Sequence, residues 1–493
     1  MTAPQPVRRH TRLRLVSRFI LFFAAICGFT WISGFPRRWD DEERPPTTHN
    51  AKAANSPAPY HVENDQLVVS IRTTAADAFA KIPPLLLLTN PKYHGTLLLM
   101  GDLPMDIGAF HVHDVLDRLD AHVLASSPEL ERYRQQLSYA QLGINPSTAK
   151  STDAQEERRT MAKLDKYKML RTLERAWQFK PDRSWYVFVD TETYLVRANL
   201  MAWLGQHNPS DATFFVNPPD PNSDEPFATS GNTFILSGHA MHKLFVDRTT
   251  GIKIWDTRAA DFKSSFDILY TALSTELNLK INTTWPAISG FHPSTVPYGP
   301  GLWCEQVMSM HSVPTDVASD LWRFERDRTE QQHVRDPLLF ADLWIRFLQP
   351  ENLTTPRDDW DNLSDGLENA SWNILFEGVE SEARKTYQKN EAVRAANGEA
   401  SWEACKASCD GNESCVQWSY ASVATPNYNE NGATKCHVSR SMRLGRHVEP
   451  EEAVVGAKGA KGEKGAIKSW KSGWRREKFE KWAKHQRCKG QQN

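Results

Sequence analysis

The sequence predicts an α/β layer with a largely parallel sheet, and three observations carry that expectation. Short apolar runs alternate with segments of helical period from Leu67 onward. One run, Trp185-Tyr186-Val187-Phe188-Val189, passes straight into Asp190-Thr191-Glu192, a buried strand that ends in acid; ligands of open α/β sheets bind at such strand ends. With 493 residues, 40 % apolar and 24 % charged, the chain has room for two or three domains and a sizeable core.

Taken in order, Leu67–Arg72 reads as a strand ending at Thr73-Thr74. Ala75–Leu88 reads as a helix interrupted at Pro83-Pro84, and Thr96–Met100 as a second buried strand ending at Gly101-Asp102. Ile107–Leu119 is expected to be helical, and residues 121–160 a loop or an exposed helical excursion. Apolar positions at Leu164, Tyr167, Leu170, Leu173 and Trp177 give a helix over Met161–Trp177. After the acidic strand come a helix through Met201 and Leu204, strands at Thr213–Val216 and Phe234–Leu236, a helix opened by Ser237, and a helix over Phe266–Leu277 with Asp267 near its start. Leu302–His311 reads as a late strand with a histidine at its end. Helices are expected over Trp322–Phe340 and Ser371–Asn397, and residues 349–370 read as surface.

Lys plus Arg number 59 against 60 for Asp plus Glu, a net charge of −1, so no nucleic-acid partner is expected. Phe19–Phe35 is uncharged and, with Leu15 and Val16, approaches the roughly 20 residues a membrane helix needs. Five arginines, Arg8 to Arg18, precede it, which keeps that end cytosolic; a cleaved signal peptide is the alternative. The expected layout is a cytosolic tail (1–14), an anchor (15–35), a stem (36–62), a main domain (63–345), a connector (346–397) and a cysteine module with a basic tail (398–488). Asn282, Asn352, Asn362, Asn369 and Asn412 open Asn-x-Ser/Thr sequons, and six of the seven cysteines lie beyond the anchor. Both features agree with a lumenal location. Cys405, Cys409, Cys415 and Cys436 favour disulfides over zinc in that setting.

Side chains alternate along a strand, so Asp190 and Glu192 are expected on the same side. That pair suits a hard divalent cation, Mg2+ or Mn2+, which binds a few carboxylates and leaves room for substrate phosphates; a turn or a helix cap is the alternative reading of two acids after a strand. His311 is either a further ligand or a structural histidine. Asp267 is either a general base, flanked by Phe266 and Ile268, or a charge that complements the helix dipole.

Several segments together carry a resemblance: Met100-Gly101-Asp102 with Asp106-Ile107-Gly108, Lys163–Lys168, the acidic strand, Phe227-Ala228-Thr229-Ser230-Gly231, Trp303-Cys304-Glu305 with Ser309-Met310-His311, and Trp360–Ser364. In order and spacing they resemble the fungal branch of glycosyltransferase family 31, relatives of the Fringe and core 1 galactosyltransferase enzymes, over roughly Leu67–Ser364. The resemblance implies a GT-A fold, a mostly parallel sheet with helices on both faces. It also implies a UDP-sugar donor, a glycan or glycoconjugate acceptor, Mn2+, inversion at the anomeric carbon and a β-1,3 bond, in a type II Golgi membrane protein. Its metal ligands fall on Asp190, Glu192 and His311, its base on Asp267, its uridine contacts on Thr73, Thr74 and Asp102, and its glycine loop on Gly231. The chain departs from the pattern at Glu192, where relatives have Asp. It departs again at Ser230-Gly231-Asn232-Thr233, where glycines are commoner, and at Ser264-Ser265-Phe266, where relatives often carry Cys and Gly. Cys304 is therefore expected either free or paired with Cys488. A lumenal protein of the same fold that binds glycan or protein without turnover is the alternative function. The C-terminal cysteines resemble a PAN/apple-like module, which implies Cys405–Cys436 and Cys409–Cys415.

Overall fold

The computed structural model describes residues 60–219, 227, 230–247, 252–330, 336–348, 353–364, 373–377, 398–424, 434–455 and 463–488. The expected tail and anchor, with nearly all of the stem, lie outside these residues. Among the described residues no helix is long and apolar enough to cross a membrane.

The chain first lays down β1 (Leu67–Arg72) and β2 (Leu97–Gly101), then β3 (Met105–Ile107) and β4 (Phe110–Asp114), then β5 (Trp185–Asp190). It continues through β6 (Tyr194–Leu195), β7 (Phe214–Phe215), β8 (Phe234–Ser237), β9 (Ile281–Asn282) and β10 (Ser309–Met310). The central sheet runs β3-β4-β2-β1-β5-β8-β7-β9. Its heart, β4-β2-β1-β5, is parallel, and β8 joins β5 antiparallel. Alternation along β1 and β5 sends Val68 and Phe188 to one face and Val69, Ile71, Val187 and Val189 to the other. The first face is covered by the helices Ala154–Phe179 and Ser265–Leu277 through Leu164, Leu170, Phe266 and Leu269. The second is covered by Ala78–Leu88 and Arg197–Leu204 through Ile82, Leu200 and Leu204. Both faces are thus covered, which is why the central strands read as continuous apolar runs. Phe188 stacks on Phe234 at 4.7 Å, and each such buried ring contributes roughly 1.5–3 kcal/mol.

Several expected elements differ. Ile107–Leu119 is not a helix: Gly108, at φ +61°, turns the chain between β3 and β4, and Val112 buries itself beside β2. The helix Ala78–Leu88 runs through Pro83 and Pro84 without interruption. The carbonyls those prolines leave unbonded belong to Phe79 and Ala80, which are exposed and can be hydrated. Residues 121–160 take the helical one of the two alternatives, with Asp120 and Asp153 side chains capping Ala121–Ser126 and Ala154–Phe179. The strand expected over Leu302–His311 shrinks to β10, because Gly299–Glu305 is a run of turns. The helix expected over Trp322–Phe340 is instead Thr315–Glu330, with a second helix at Phe340–Phe347.

The C-terminal part is an antiparallel sheet. Its strands are β11 (Arg357–Asp358), β12 (Trp360–Asp361), β13 (Asn373–Glu377), β14 (Gln417–Ala424), β15 (Thr434–Ser439), β16 (Arg446–His447), β17 (Glu451–Val455) and β18 (Glu463–Trp474). Five of them run β11-β18-β14-β15-β13, while β17 pairs with β18 and β12 with β16. Residues expected as a connector therefore supply β11, β12 and β13. The last of these replaces part of the helix expected over Ser371–Asn397, whose remainder lies outside the described residues. Cys405–Cys436 and Cys409–Cys415 are the pairings present, and Cys304 bonds Cys488. Gly473 lets β18 cross Trp418, since a Cβ there would lie 2.5 Å from the indole.

Asn362 also departs from expectation. It is fully buried, and its amide donates to the Trp418 carbonyl at 2.9 Å while its Oδ1 accepts from Ser364. A glycan cannot be carried there in the folded protein; this sequon serves as a hydrogen-bond junction between β12 and the C-terminal sheet.

Candidate active site at the rim of the parallel strands

β1, β2 and β5 are parallel, so their C-terminal ends reach one rim. β5 stops at Asp190 and the chain turns. Asp190 Oδ1 closes that turn by accepting from Glu192 N (3.0 Å) and Thr193 Oγ1 (2.8 Å). Strand alternation therefore ends two residues short of Glu192 and does not align the two acids. Glu192 leaves in another direction and meets Lys81 Nζ at 2.7 Å. The three expected metal ligands do not gather, and among the described residues no group of three His, Cys, Asp or Glu is placed to hold an ion.

Asp190 and His311 do come together. His311 Nε2 lies 2.8 Å from Asp190 Oδ2, and Ser312 Oγ lies 3.0 Å from His311 Nδ1. The Asn232 amide nitrogen donates to Asp190 Oδ2 at 2.7 Å. Burial alone would raise the Asp190 carboxyl, but the His311 hydrogen bond and charge, with Arg72 and Thr193, hold it well below the usual carboxylate range. Gly231 sits behind the pair at φ +54°, and a Cβ on it would lie 2.4 Å from the Ser289 carbonyl and 2.7 Å from His311 Cβ. Only glycine fits that approach. The rest of the expected glycine motif, Ala228 and Thr229, lies outside the described residues.

At the ends of β1 and β2, Thr73 accepts from Lys168 Nζ at 3.0 Å through its carbonyl, and Thr74 Oγ1 accepts from Asp77 N. Asp102 Oδ1 accepts from Ala75 N at 2.5 Å, while its buried Oδ2 has no partner among the described residues. Arg72 reaches across to the Asn232 carbonyl at 2.8 Å, and its buried Nε has no partner either. Burial lowers the Arg72 guanidinium despite Asp165 and Asp190. Burial would lower Lys168 too, but Asp165 and Asp102 outweigh it. Sequence reasoning assigned no role to Arg72, Lys168 or Asn232. The available signal was a cation closing a buried strand and a lysine among the apolar positions of a long helix.

Asp267 does not join these residues by any described contact. Ser264 caps its helix by accepting from Asp267 N, and donates to Asp267 Oδ2 at 2.9 Å. Its neighbour Phe266 packs edge-on against Phe227 at 5.3 Å, and Arg72 lies over that ring at 5.6 Å, so the helix start abuts the same rim.

Beyond the turn, a cavity of about 470 Å³ is lined by Lys81, Glu192, Tyr194, Arg197, Trp322 and Glu325 among others. Tyr194 donates its hydroxyl to Glu325 at 2.6 Å, and burial pushes the Glu325 carboxyl up to about 7. A carboxyl raised on folding stabilises fully below its unfolded value near 4.5 and loses that contribution as pH rises through about 7. Melting curves of E325Q are therefore expected to lack a fall in Tm that the wild type shows across this window. Parallel curves for the two proteins would disprove the assignment.

No protein-family model matches the sequence, and no curated protein matches it. Among solved structures it is similar to a glycosyltransferase involved in the glycosylation of the major capsid of PBCV-1. The identity is 9 % and the TM-score 0.24, over 52 % of this chain and 99 % of that one. A TM-score of that size marks a loose likeness, from which no residue or activity transfers.

Proposed function

We propose that this protein is an inverting, Mn2+-dependent glycosyltransferase that moves a hexose or N-acetylhexosamine from a UDP-sugar to a glycan acceptor, forming a β-1,3 linkage, as a type II Golgi membrane protein. The observation that carries the reading is the chemistry of the rim. Arg72, which donates to the Asn232 carbonyl, and Lys168, which donates to the Thr73 carbonyl and lies 3.2 Å from Asp165, place two cations at the ends of the parallel strands, where a diphosphate would find charged donors. Asp102 Oδ2 is a buried acceptor without a donor among the described residues, and uracil N3–H is a donor of the right kind.

Asp190 and His311 fit a metal ion, since a carboxylate and an imidazole are a donor set Mn2+ accepts; Glu192, held by Lys81, does not fit as placed. A bound Mn2+ would neutralise the charge that builds on the leaving diphosphate. Arg72 and Lys168 would orient the same phosphates, and Gly231 would keep the backbone close to His311. Asp267 would take the acceptor hydroxyl's proton on its carboxylate after releasing the Ser264 hydroxyl.

A second reading, a non-catalytic binding protein of the same fold, is favoured by one observation. Glu192, an expected metal ligand, and Asp267, the expected base, are both engaged by neighbouring side chains. A panel of UDP-galactose, UDP-N-acetylglucosamine and UDP-glucose separates the two. The transferase should release UDP from at least one donor with Mn2+ and stop with a chelator. No release from any donor, together with no UDP binding, would remove the enzyme reading.

A further inference from the structure

Three side-chain atoms from distant parts of the chain meet at one point: Asp190 Oδ2, His311 Nε2 and the Asn232 amide. Asp190 and His311 are 2.8 Å apart, Asn232 and Asp190 2.7 Å, and Asn232 and His311 3.1 Å. Adjacent ligands of an octahedral ion with bonds of about 2.1 Å lie about 3 Å from each other. The triangle therefore has the size of one face of such an octahedron.

Hydrogen bonding leaves one edge of this triangle unpaired. An ionised carboxylate oxygen only accepts; the imidazole nitrogen either donates or accepts, and so does the inward atom of the amide. Whichever tautomer and amide orientation is chosen, one of the three edges joins two donors or two acceptors. A cation resolves the conflict, because it takes a lone pair from all three at once. The amide needs only to exchange its oxygen and nitrogen, a change that leaves its shape unaltered. The surroundings support that use. Asp190 Oδ1 is already committed to the turn, which leaves Oδ2 for the ion. Ser312 Oγ can accept from His311 Nδ1, which leaves the Nε2 lone pair pointing inward.

We propose that Asn232, rather than Glu192, is the third protein ligand of a divalent-cation site with Asp190 and His311. The site takes Mn2+ in preference to Mg2+, because one ligand is imidazole. This deepens the metal site of the proposed transferase and rests on a dication binding at that rim. Glu192 acts instead through Lys81, pinning the turn to the helix Ala78–Leu88.

The test is Mn2+ titration of the full chain followed by electron paramagnetic resonance, without sugar nucleotide, on the wild type, N232G, N232D and E192Q. Asn232 has φ +53°, a conformation that glycine adopts without strain and aspartate tolerates, so the backbone need not change. N232G should weaken Mn2+ at least about tenfold. N232D should bind at least as tightly as the wild type, and E192Q should keep wild-type affinity. Weakened binding in E192Q with no change in N232G would overturn the proposal, as would a wild type that binds no Mn2+. If N232G does not fold, N232D decides, and lost affinity there counts against the site. Mn2+ affinity set by Asn232 in a chain that turns over no UDP-sugar would keep the site and remove the transferase. Turnover with affinity set by Glu192 would do the reverse.

Discussion

Asp190→Asn is expected to lower UDP-sugar turnover by about 10²–10³-fold or more, the scale seen when one preorganised electrostatic group is removed from an active site. The substitution preserves shape, yet it touches every part of the rim. Asp190 accepts from Glu192 N, Thr193 Oγ1 and Asn232 Nδ2 and lies 2.8 Å from His311 Nε2. An amide supplies one accepting oxygen instead of two and no charge, so it cannot both close the turn and face the imidazole and Arg72. The loss should appear in kcat with each donor that the wild type uses, and Mn2+ should not restore it at any concentration. Stability should respond as well. The folded Asp190 carboxyl is depressed, so its contribution is complete above the unfolded value near 3.8 and disappears as pH falls through the lower folded value. The acid limb of the Tm profile should therefore be shallower in the variant. Wild-type kcat in D190N would remove the rim as the catalytic site.

Releasing the C-terminal strap should give the largest effect on stability. The helix Arg476–Lys484 lies beyond the C-terminal sheet but packs on the main domain. Phe479 is fully buried 4.4 Å from the Trp344 ring, and Trp482 meets Trp303 edge-on at 5.4 Å. Four residues past this helix, Cys488 bonds Cys304 across a separation of 184 residues. A bridge closing a loop of that length contributes up to about 5 kcal/mol by restricting the unfolded chain. Phe479→Ala should cost about 3–5 kcal/mol by leaving a cavity among the tryptophans. Cys488→Ser and Phe479→Ala should each lower Tm by several degrees. The double variant should lose less than the sum, because both substitutions free the same segment. An unchanged Tm in both single variants would show that the strap bears no load. This tail is basic in sequence, with Trp470, Trp474 and Trp482 interleaved; its apolar side becomes evident only where Trp303 and Trp344 receive it.

Local pattern alone determined much of the scaffold. β1, β2 and β5 are legible because strands covered on both faces must be apolar throughout, and the helix Ala154–Phe179 because its buried positions repeat every turn. Ser237 was legible as a helix start, because a short polar side chain can reach the free N–H groups of the next turn; Asp120, Asp153 and Ser264 cap helices in the same way, but were not singled out from the sequence. Asp190 was likewise visible as an acid ending a buried run. Tertiary structure decided what that acid faces. The turn closed by Asp190 Oδ1 sends Glu192 to Lys81. Asn232 and His311, 42 and 121 residues away from Asp190, are delivered to it by β8 and β10. The same holds for Asn362, whose sequon is local but whose burial depends on Trp418, 56 residues further on. Sequence periodicity records which side of its own element a residue occupies. Which distant group it meets is set by how the elements close on one another, and in this protein the proposed cation site exists only at that level.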